Sequence, residues 1–399
     1  MMENEFCGTE NISVFEGLEK LQNNQIPLLF SAGTHYDVSY TIGGQFSKQM
    51  TNFCAQFPEL KSSLLPYYNC REGRSVYEGF LASCNAAFPQ YVEEIKGMSD
   101  GSGVAFENLF LLNCLNEMLI LSKKSTNLDD TRGCTSVFIN RPDLKILAHN
   151  EDYSPRMEAY VYIVCCKIDD NFVKKNVVQE DQEYITAYCY PGFLPGGNFS
   201  FNNHGMIFAC NGLYPAETYR ECIPRRFIDR SLLSASSVTQ AVKILEDNKH
   251  GVAYGICCNM ASVKDKDNMW ALEVGPKHQH YLHTIPPQND PNKDCHYIHV
   301  NTYQHLNIEE LPAVAYGSSA HRYKHASSLP PPRSVSDICN ILGDTDCKEY
   351  PIYRTPRPTD RSQTLATAVF NILENKVDIH LKNTKDDKAP AFSLPLNFI

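Results

Sequence analysis

Hydrophobic spacing divides the chain near residue 121. Before that point, "YTIGGQFSKQMTNFCAQF" (Tyr40–Phe57) and "YVEEIKGMSDGSGVAFENLFLLNCLNEMLIL" (Tyr91–Leu121) carry apolar residues three and four apart. With glycines at the breaks, this spacing predicts a mainly helical first third. A polar loop, "SKKSTNLDDTR", follows. From Cys134 the period shortens to two, through "CTSVFIN", "KILAHNED", "AYVYIVCCKI", "EYITAYCY", "NFSFN" and "GMIFACN". Helices are expected near 224–247, where Ser237 and Gln240 suit a capping box. More strands run through "AYGICCNMAS", "NMWALEV", "QHYLHTI" and "CHYIHVN". A helical stretch around 318–342 is broken by "LPPPR", and "QTLATAVFNIL" and "KVDIHL" close the chain. The order implies one large α+β or layered domain.

Composition narrows the classes. At 399 residues, 43% hydrophobic and 21% charged, the chain can bury a large core. A net charge of −10 argues against nucleic acid or an anionic membrane as partner. The N-terminus has no basic, apolar leader and no apolar run spans a bilayer, so a cytoplasmic location is expected. The 16 cysteines stand singly or as adjacent pairs, with no C-x-x-C, as expected of reduced core thiols. The alternating histidines of "KHQHYLH" and "CHYIHVN" lack the paired cysteine or acidic ligand of a metal site, so neither metal nor organic cofactor is expected.

One cysteine differs from the rest in its neighbours. Gly133–Cys134 is the only Gly-Cys pair, and it sits between the polar loop and a β-branched run. In "CTSVFINRPDLKILAHNEDY" two alternating runs flank "RPDL", a turn signal. If Asn140 and Lys145 close that hairpin, Cys134 lies opposite Glu151, with Asn150 and Asp152 beside it. Such polar residues can simply decorate a strand end. The glycine adds a chemical possibility, because it leaves its own carbonyl unhindered and can take up unusual backbone angles. The Cys134 thiol could attack that carbonyl, and hydrolysis of the thioester would leave Cys134 as a new N-terminus. Its α-amine, with an unperturbed pKa near 8, would then serve as general base for its own thiol.

Taken together, "YTIGGQF", "EEIKGMSDGSGVAFENLFLLNCLNE", "GCTSV", "HNEDY", "NNHGMIFACNGL", "CCNMAS", "WALEV", "HVNTY" and "TLATAVFNI" resemble, in order and spacing, the acyl-coenzyme A:6-aminopenicillanic acid acyltransferase family. The resemblance implies a four-layer αββα N-terminal-nucleophile (Ntn) hydrolase fold. It also implies self-cleavage into an α chain of residues 1–133 and a β chain of residues 134–399, associated as a heterodimer within one domain. Position by position, Cys134 matches the nucleophile, Asp152 the aspartate that orients the new amine, and Asn259 the asparagine that helps hold the oxyanion. Arg354, in "IYRTPR", aligns with a family arginine near the site. Asn150, Glu151 and Asn211 are further candidates for substrate contact. The family often carries an aromatic segment where this chain has "HNEDY", which leaves His149 and Glu151 without an assigned role.

Each assignment has a plainer alternative. Asn259 could cap a strand end, Asn211 before Gly212 could be a turn residue, and Arg354, Arg357 and Arg361 lie in a proline-rich loop where arginines are usually solvated. The resemblance implies a small-molecule amide substrate, with β-alanyl conjugates of biogenic amines (N-β-alanyl-dopamine, β-alanyl-histamine) foremost. The rivals are an acyl-coenzyme A-dependent N-acyltransferase and a non-catalytic binding protein of the same fold. The binding protein would be expected to lack the Gly-Cys pair or Asp152.

Overall fold

The computed structural model describes residues 26–122, 133–169, 182–290, 293, 296–315, 317–358 and 360–396. The polar loop expected at 122–132 lies, apart from Ser122, outside the described residues. No helix among those described is long and apolar enough to cross a membrane.

The described strands are β1 (Leu28–Gly33), β2 (Gly133–Arg141), β3 (Leu144–Tyr153), β4 (Tyr162–Ile168), β5 (Glu183–Cys189), β6 (Phe199–Asn202), β7 (Met206–Leu213), β8 (Gly255–Ser262), β9 (Met269–Val274), β10 (His280–Ile285), β11 (His296–His299), β12 (Gln363–Asn371), β13 (Lys376–His380) and β14 (Phe392–Pro395). The α-helices are α1 (His35–Gln45), α2 (Ser47–Gln56), α3 (Leu65–Tyr68), α4 (Arg71–Ala87), α5 (Pro89–Ser102), α6 (Phe106–Asn113), α7 (Leu115–Leu121), α8 (Arg225–Leu233), α9 (Val238–Asp247), α10 (Pro312–Ala315), α11 (Ser318–Ser328) and α12 (Val335–Leu342).

The strands form an eight-stranded sheet, ordered β1-β4-β5-β6-β7-β8-β9-β10, and a six-stranded sheet, ordered β11-β2-β3-β12-β13-β14. The sheets face each other through β2 and β3 against β7 and β8. Helices α1 and α8 cover the outer face of the larger sheet, and α11 and α12 that of the smaller. This is the αββα arrangement, and it makes β2 and β3 interior on both faces. Their apolar residues therefore divide between two cores. Phe138 and Leu147 join the large core between the sheets. Val137, Ile139, Ile146 and Ala148 join a second core under α11 and α12.

The first third departs from the sequence reading in two ways. It contains a strand, β1, which pairs parallel with β4 at the sheet edge. Its residues are mostly half-buried, so no alternating pattern marks it. Gly103 does break a helix, ending α5 at φ 75°. Gly43, Gly97 and Gly101, however, lie inside α1 and α5. A Cβ at Gly97 would stand 2.2 Å from the Tyr36 carbonyl oxygen, and one at Gly101 would stand 2.1 Å from that of Tyr40. These glycines let two helix backbones touch. The Ser237 cap forms, accepting from Gln240 N, but the Gln240 side chain accepts from Ser236 N, not from Ser237.

Candidate active site

The β2–β3 register is the one the turn implies: Gly133 pairs with Asp152, Cys134 with Glu151, Thr135 with Asn150 and Ser136 with His149. Because side chains alternate across a strand, this register splits the polar residues between two faces. Cys134, Ser136, His149 and Glu151 point between the sheets, where Ser136 reaches Asn211 on β7. Thr135, Asn150 and Asp152 point to the outer layer, where Thr135 meets Arg322 of α11. A cavity at the strand ends is walled by members of both groups, among them Gly133, Cys134, Glu151, Asp152 and Asn301.

The outer face surrounds the Gly133–Cys134 peptide with cations and donors. Cys134 N donates to Asn301 Oδ1 at 2.8 Å, and Asn301 Nδ2 donates to the Gly212 carbonyl at 3.0 Å. The buried Glu273 carboxylate fixes the loop after Asn301, accepting from the backbone N–H groups of Gln304, His305 and Leu306. Arg322 Nη1 donates to the Cys134 carbonyl at 2.6 Å and to Thr135 Oγ1 at 2.7 Å, and Arg322 Nη2 to Asn301 Oδ1 at 2.8 Å. Arg354 is fully buried, forks onto Asp360 and places Nη1 3.9 Å from Asp152 Oδ2. A Cβ on residue 133 would fall 2.3 Å from Arg354 Nη1 and 2.9 Å from Arg322 Nη2. Glycine there gives both guanidiniums access to the peptide.

Asp152 Oδ1 accepts from Thr364 Oγ1 at 2.7 Å, while Oδ2 accepts no hydrogen bond among the described residues. Burial pushes its pKa up to about 6, against the pull of Arg354, Arg322 and Thr364. The aspartate thus sits beside the peptide with one oxygen open.

The inner face surrounds the thiol with proton acceptors and relays. Cys134 Sγ lies 3.9 Å from Glu151 Oε2, which is 3.2 Å from His149 Nε2. Tyr190 donates to Glu151 Oε1 at 2.8 Å. His149 Nδ1 is 2.8 Å from Ser136 Oγ, which is 2.8 Å from Asn211 Oδ1. Burial, with Glu151 and Asp152 adding to it, raises the Cys134 pKa well above the thiol range, so the thiol is protonated in the intact chain. Cys134, His149 and Glu151 bring one ligand atom each to within 4.8 Å of the others, the set best placed to hold a metal among the described residues. The strand histidines are otherwise engaged: His299 pairs with Glu273, and His283 stacks on His305.

Several expected contacts fall elsewhere. Asn150 was a candidate for substrate contact, but its amide donates to the Leu342 and Ile352 carbonyls and it accepts from Thr367, so it braces β3 against the outer layer. Asn211 is a full member of β7, not a turn residue. Its side-chain Oδ1 accepts from Ser136 Oγ and Asn259 Nδ2. The Asn259 amide is committed to Ala209 O, Asn211 Oδ1 and Ser136 Oγ, and Asn259 does not line the cavity. Its place in this uncut chain is behind Ser136, not over the thiol. Arg354 is corrected in the opposite sense, since the proline-rich loop buries it completely, whereas Arg361 is exposed. Sequence reasoning gave no role to Asn301, Arg322, Tyr190 or Thr364. Asn301 and Thr364 carried a signal, inside the quoted "HVNTY" and "TLATAVFNI". The others depend on long-range packing.

Comparison with known proteins finds a matching family and similar chains. The family model of acyl-coenzyme A:6-aminopenicillanic acid acyl-transferase matches residues 139–386, beginning beyond Cys134. The beta-alanyl-dopamine/carcinine hydrolase of Drosophila melanogaster is 30% identical over 377 residues, covering 93% of this chain and 96% of the relative. Among solved structures, penicillin V acylase from Agrobacterium tumefaciens shares 11% identity at a TM-score of 0.36, over 62% of this chain and 82% of that one. A mutant of the conjugated bile acid hydrolase from Clostridium perfringens shares 13% at 0.37, over 62% and 89%.

Proposed function

We propose, from the premise that this chain belongs to the acyl-coenzyme A:6-aminopenicillanic acid acyl-transferase family, that it is a self-processing cysteine amidohydrolase. Its substrates in this reading are β-alanyl conjugates of biogenic amines, the class named for the Drosophila relative. The observation that carries the reading is the setting of Gly133–Cys134. The peptide is held from one side by Asn301 and Arg322, with Arg354 packed against Gly133, and the thiol faces Glu151 on the other.

In the cut, Cys134 Sγ attacks the Gly133 carbonyl carbon and its proton passes to Glu151 Oε2, the acceptor set against it. The C–N bond breaks as Cys134 N takes a proton and leaves as an amine. Water then hydrolyses the thioester, releasing the Gly133 carboxylate and restoring the thiol. The new α-amine lies beside the open Oδ2 of Asp152, which orients it. In turnover that amine accepts the thiol proton, Sγ attacks the substrate carbonyl, the leaving amine is protonated, and water releases β-alanine. Asn259 acts through Ser136, holding the polar chain that ends at Glu151.

Mass spectrometry and product analysis test this together. Wild-type protein should separate under denaturation into chains of 133 and 266 residues, the second beginning at Cys134. Cys134→Ala should remain whole and inert. The processed protein should release β-alanine and dopamine from N-β-alanyl-dopamine without coenzyme A. An intact chain with full activity would end the self-processing reading, and acyl transfer from an acyl-coenzyme A without hydrolysis would favour the acyltransferase.

A further inference from the structure

The two adjacent carboxylates at the cut differ in what balances their charge. Asp152 has the guanidiniums of Arg354 and Arg322 within its field. Glu151 is 3% exposed and has no lysine or arginine paired with it among the described residues. Its contacts are a phenol, an imidazole and a thiol, all of which can be neutral. A buried carboxylate without a fixed cation is costly, and the cost is relieved by any cation that enters.

Geometry says where that cation would sit. Each carboxylate oxygen can accept two hydrogen bonds; on Glu151, Oε1 accepts from Tyr190, while Oε2 faces the thiol and His149 Nε2. An acceptor direction remains on Oε1, and Glu151 lines the cavity that Cys134 faces. A reacting carbonyl carbon stands about 3–3.5 Å from its nucleophile, and a charge-assisted N–H···O contact spans about 2.7–2.9 Å. With Sγ and Oε2 3.9 Å apart, an acyl chain whose ammonium stands two carbons from the carbonyl is long enough to place its carbon at Sγ and its nitrogen at the Glu151 carboxylate.

We infer that Glu151 is the subsite for the ammonium of the acyl half of the substrate. The enzyme then selects amides whose acyl chain carries a cationic nitrogen within about two carbons of the carbonyl. This rests on the proposed hydrolysis of β-alanyl conjugates and adds the residue that recognises the β-alanyl end. The amine half of β-alanyl-dopamine carries no cation, because its nitrogen is acylated, so the only ammonium that the substrate offers Glu151 is that of the acyl half.

The test compares β-alanyl-dopamine with propionyl-dopamine, which lacks only the ammonium. Processed wild-type protein should favour the β-alanyl amide in kcat/KM by roughly 30-fold or more, the range for losing one partner of a buried charge pair. In Glu151→Gln that ratio should collapse toward one. In Glu151→Asp, whose carboxylate is one methylene shorter, preference should move toward the γ-aminobutyryl amide. Should a variant stay uncut, the same two amides are compared by calorimetry on Cys134→Ala, with and without Glu151→Gln, where the difference in affinity should vanish with the carboxylate. A ratio that survives Glu151→Gln overturns the inference, as does equal loss of both amides in cut Glu151→Asp, which would put Glu151 in the chemistry alone. Wild-type protein that ignores β-alanyl amides while cleaving others would refute the proposed substrate class instead.

Discussion

Two neighbouring residues of β3, Glu151 and Asp152, end on opposite faces of the same strand, and the two faces are built from different chemistry. The outer face, around Asp152, collects two buried arginines, Asn301 and Thr364 about the Gly133–Cys134 peptide. The inner face, around Glu151, collects His149, Tyr190 and the thiol, and no arginine is paired with Glu151 among the described residues, although Arg225 and Arg226 line the same cavity. In the proposed cycle both carboxylates receive a cation. The chain itself supplies the one at Asp152, when the cut creates an amine, and the substrate supplies the one at Glu151. A single alternating dipeptide thus divides the work: in this reading Glu151 takes the thiol proton in the cut and reads the substrate, while Asp152 orients the amine that the cut creates.

The largest effect is expected from Arg354→Met. It would strip charge from Asp360 and Asp152 together, leaving two buried carboxylates with little compensation. Breaking a buried pair from one end typically costs about 3–5 kcal/mol. On the uncut Cys134→Ala background, urea unfolding should show a loss of that size, and otherwise wild-type chains should stay whole. A stable, normally cut Arg354→Met would mean that the outer face does not depend on its cations.

The next prediction is a pH effect. Folding raises the Asp152 pKa from 3.8 to about 6, so between those values the folded chain binds more protons than the unfolded one. Stability contributed by this residue therefore falls as pH rises through that window, and the deficit is complete above it. Its size is roughly 3 kcal/mol. In Cys134→Ala, adding Asp152→Asn should raise unfolding stability at pH 8 and change little near pH 4. An Asn variant that is less stable at pH 8 would show that the arginines already overcompensate Asp152.

Gly133→Ala should act on rate with less effect on stability. The added Cβ would force Arg354 Nη1 and Arg322 Nη2 away from the peptide. Displacements of that order cost roughly 100-fold in a positioned reaction. Cutting followed by gel over time should slow accordingly, while the unfolding midpoint moves little. Unchanged cutting would show that the arginines are not needed close to the carbonyl.

Much of this site was legible because strand pairing is arithmetic. A turn at "RPDL" fixed which residue opposes Cys134, and the register follows it through Gly133 and Asp152. The face each residue takes was harder to see. Both faces of β2 and β3 are buried, so polar residues mark neither as solvent-exposed. Asn150 therefore looked like a neighbour of the thiol, although it points the other way. Arg354 looked solvated because its loop is rich in proline, yet Asp360 and Thr364 close around it. Arg322 lies 188 residues from Cys134 in sequence, and no local pattern could join them. The helix glycines misled in the same way, since close contact between backbones leaves no periodic trace.

The smallest effect tests the inner face, through Tyr190→Phe. Tyr190 donates to Glu151 Oε1 at 2.8 Å, and burial, with Glu151 beside it, raises its pKa well above the phenol range. It is therefore a neutral donor throughout the working pH range, and its removal should give a loss that does not vary with pH between about 6 and 9. A hydrogen bond to a charged group contributes about 1.5–3 kcal/mol. Bound substrate can recover part of that through its own ammonium, so the expected loss is about tenfold in kcat/KM for β-alanyl-dopamine, carried mainly by KM. Glu151 keeps its reach to the thiol, and the outer face is untouched, so cutting at Gly133–Cys134 should proceed at its normal rate. Tyr190→Phe chains that remain uncut would show that Glu151 needs this hydrogen bond to take the thiol proton in the cut, and not for recognition alone.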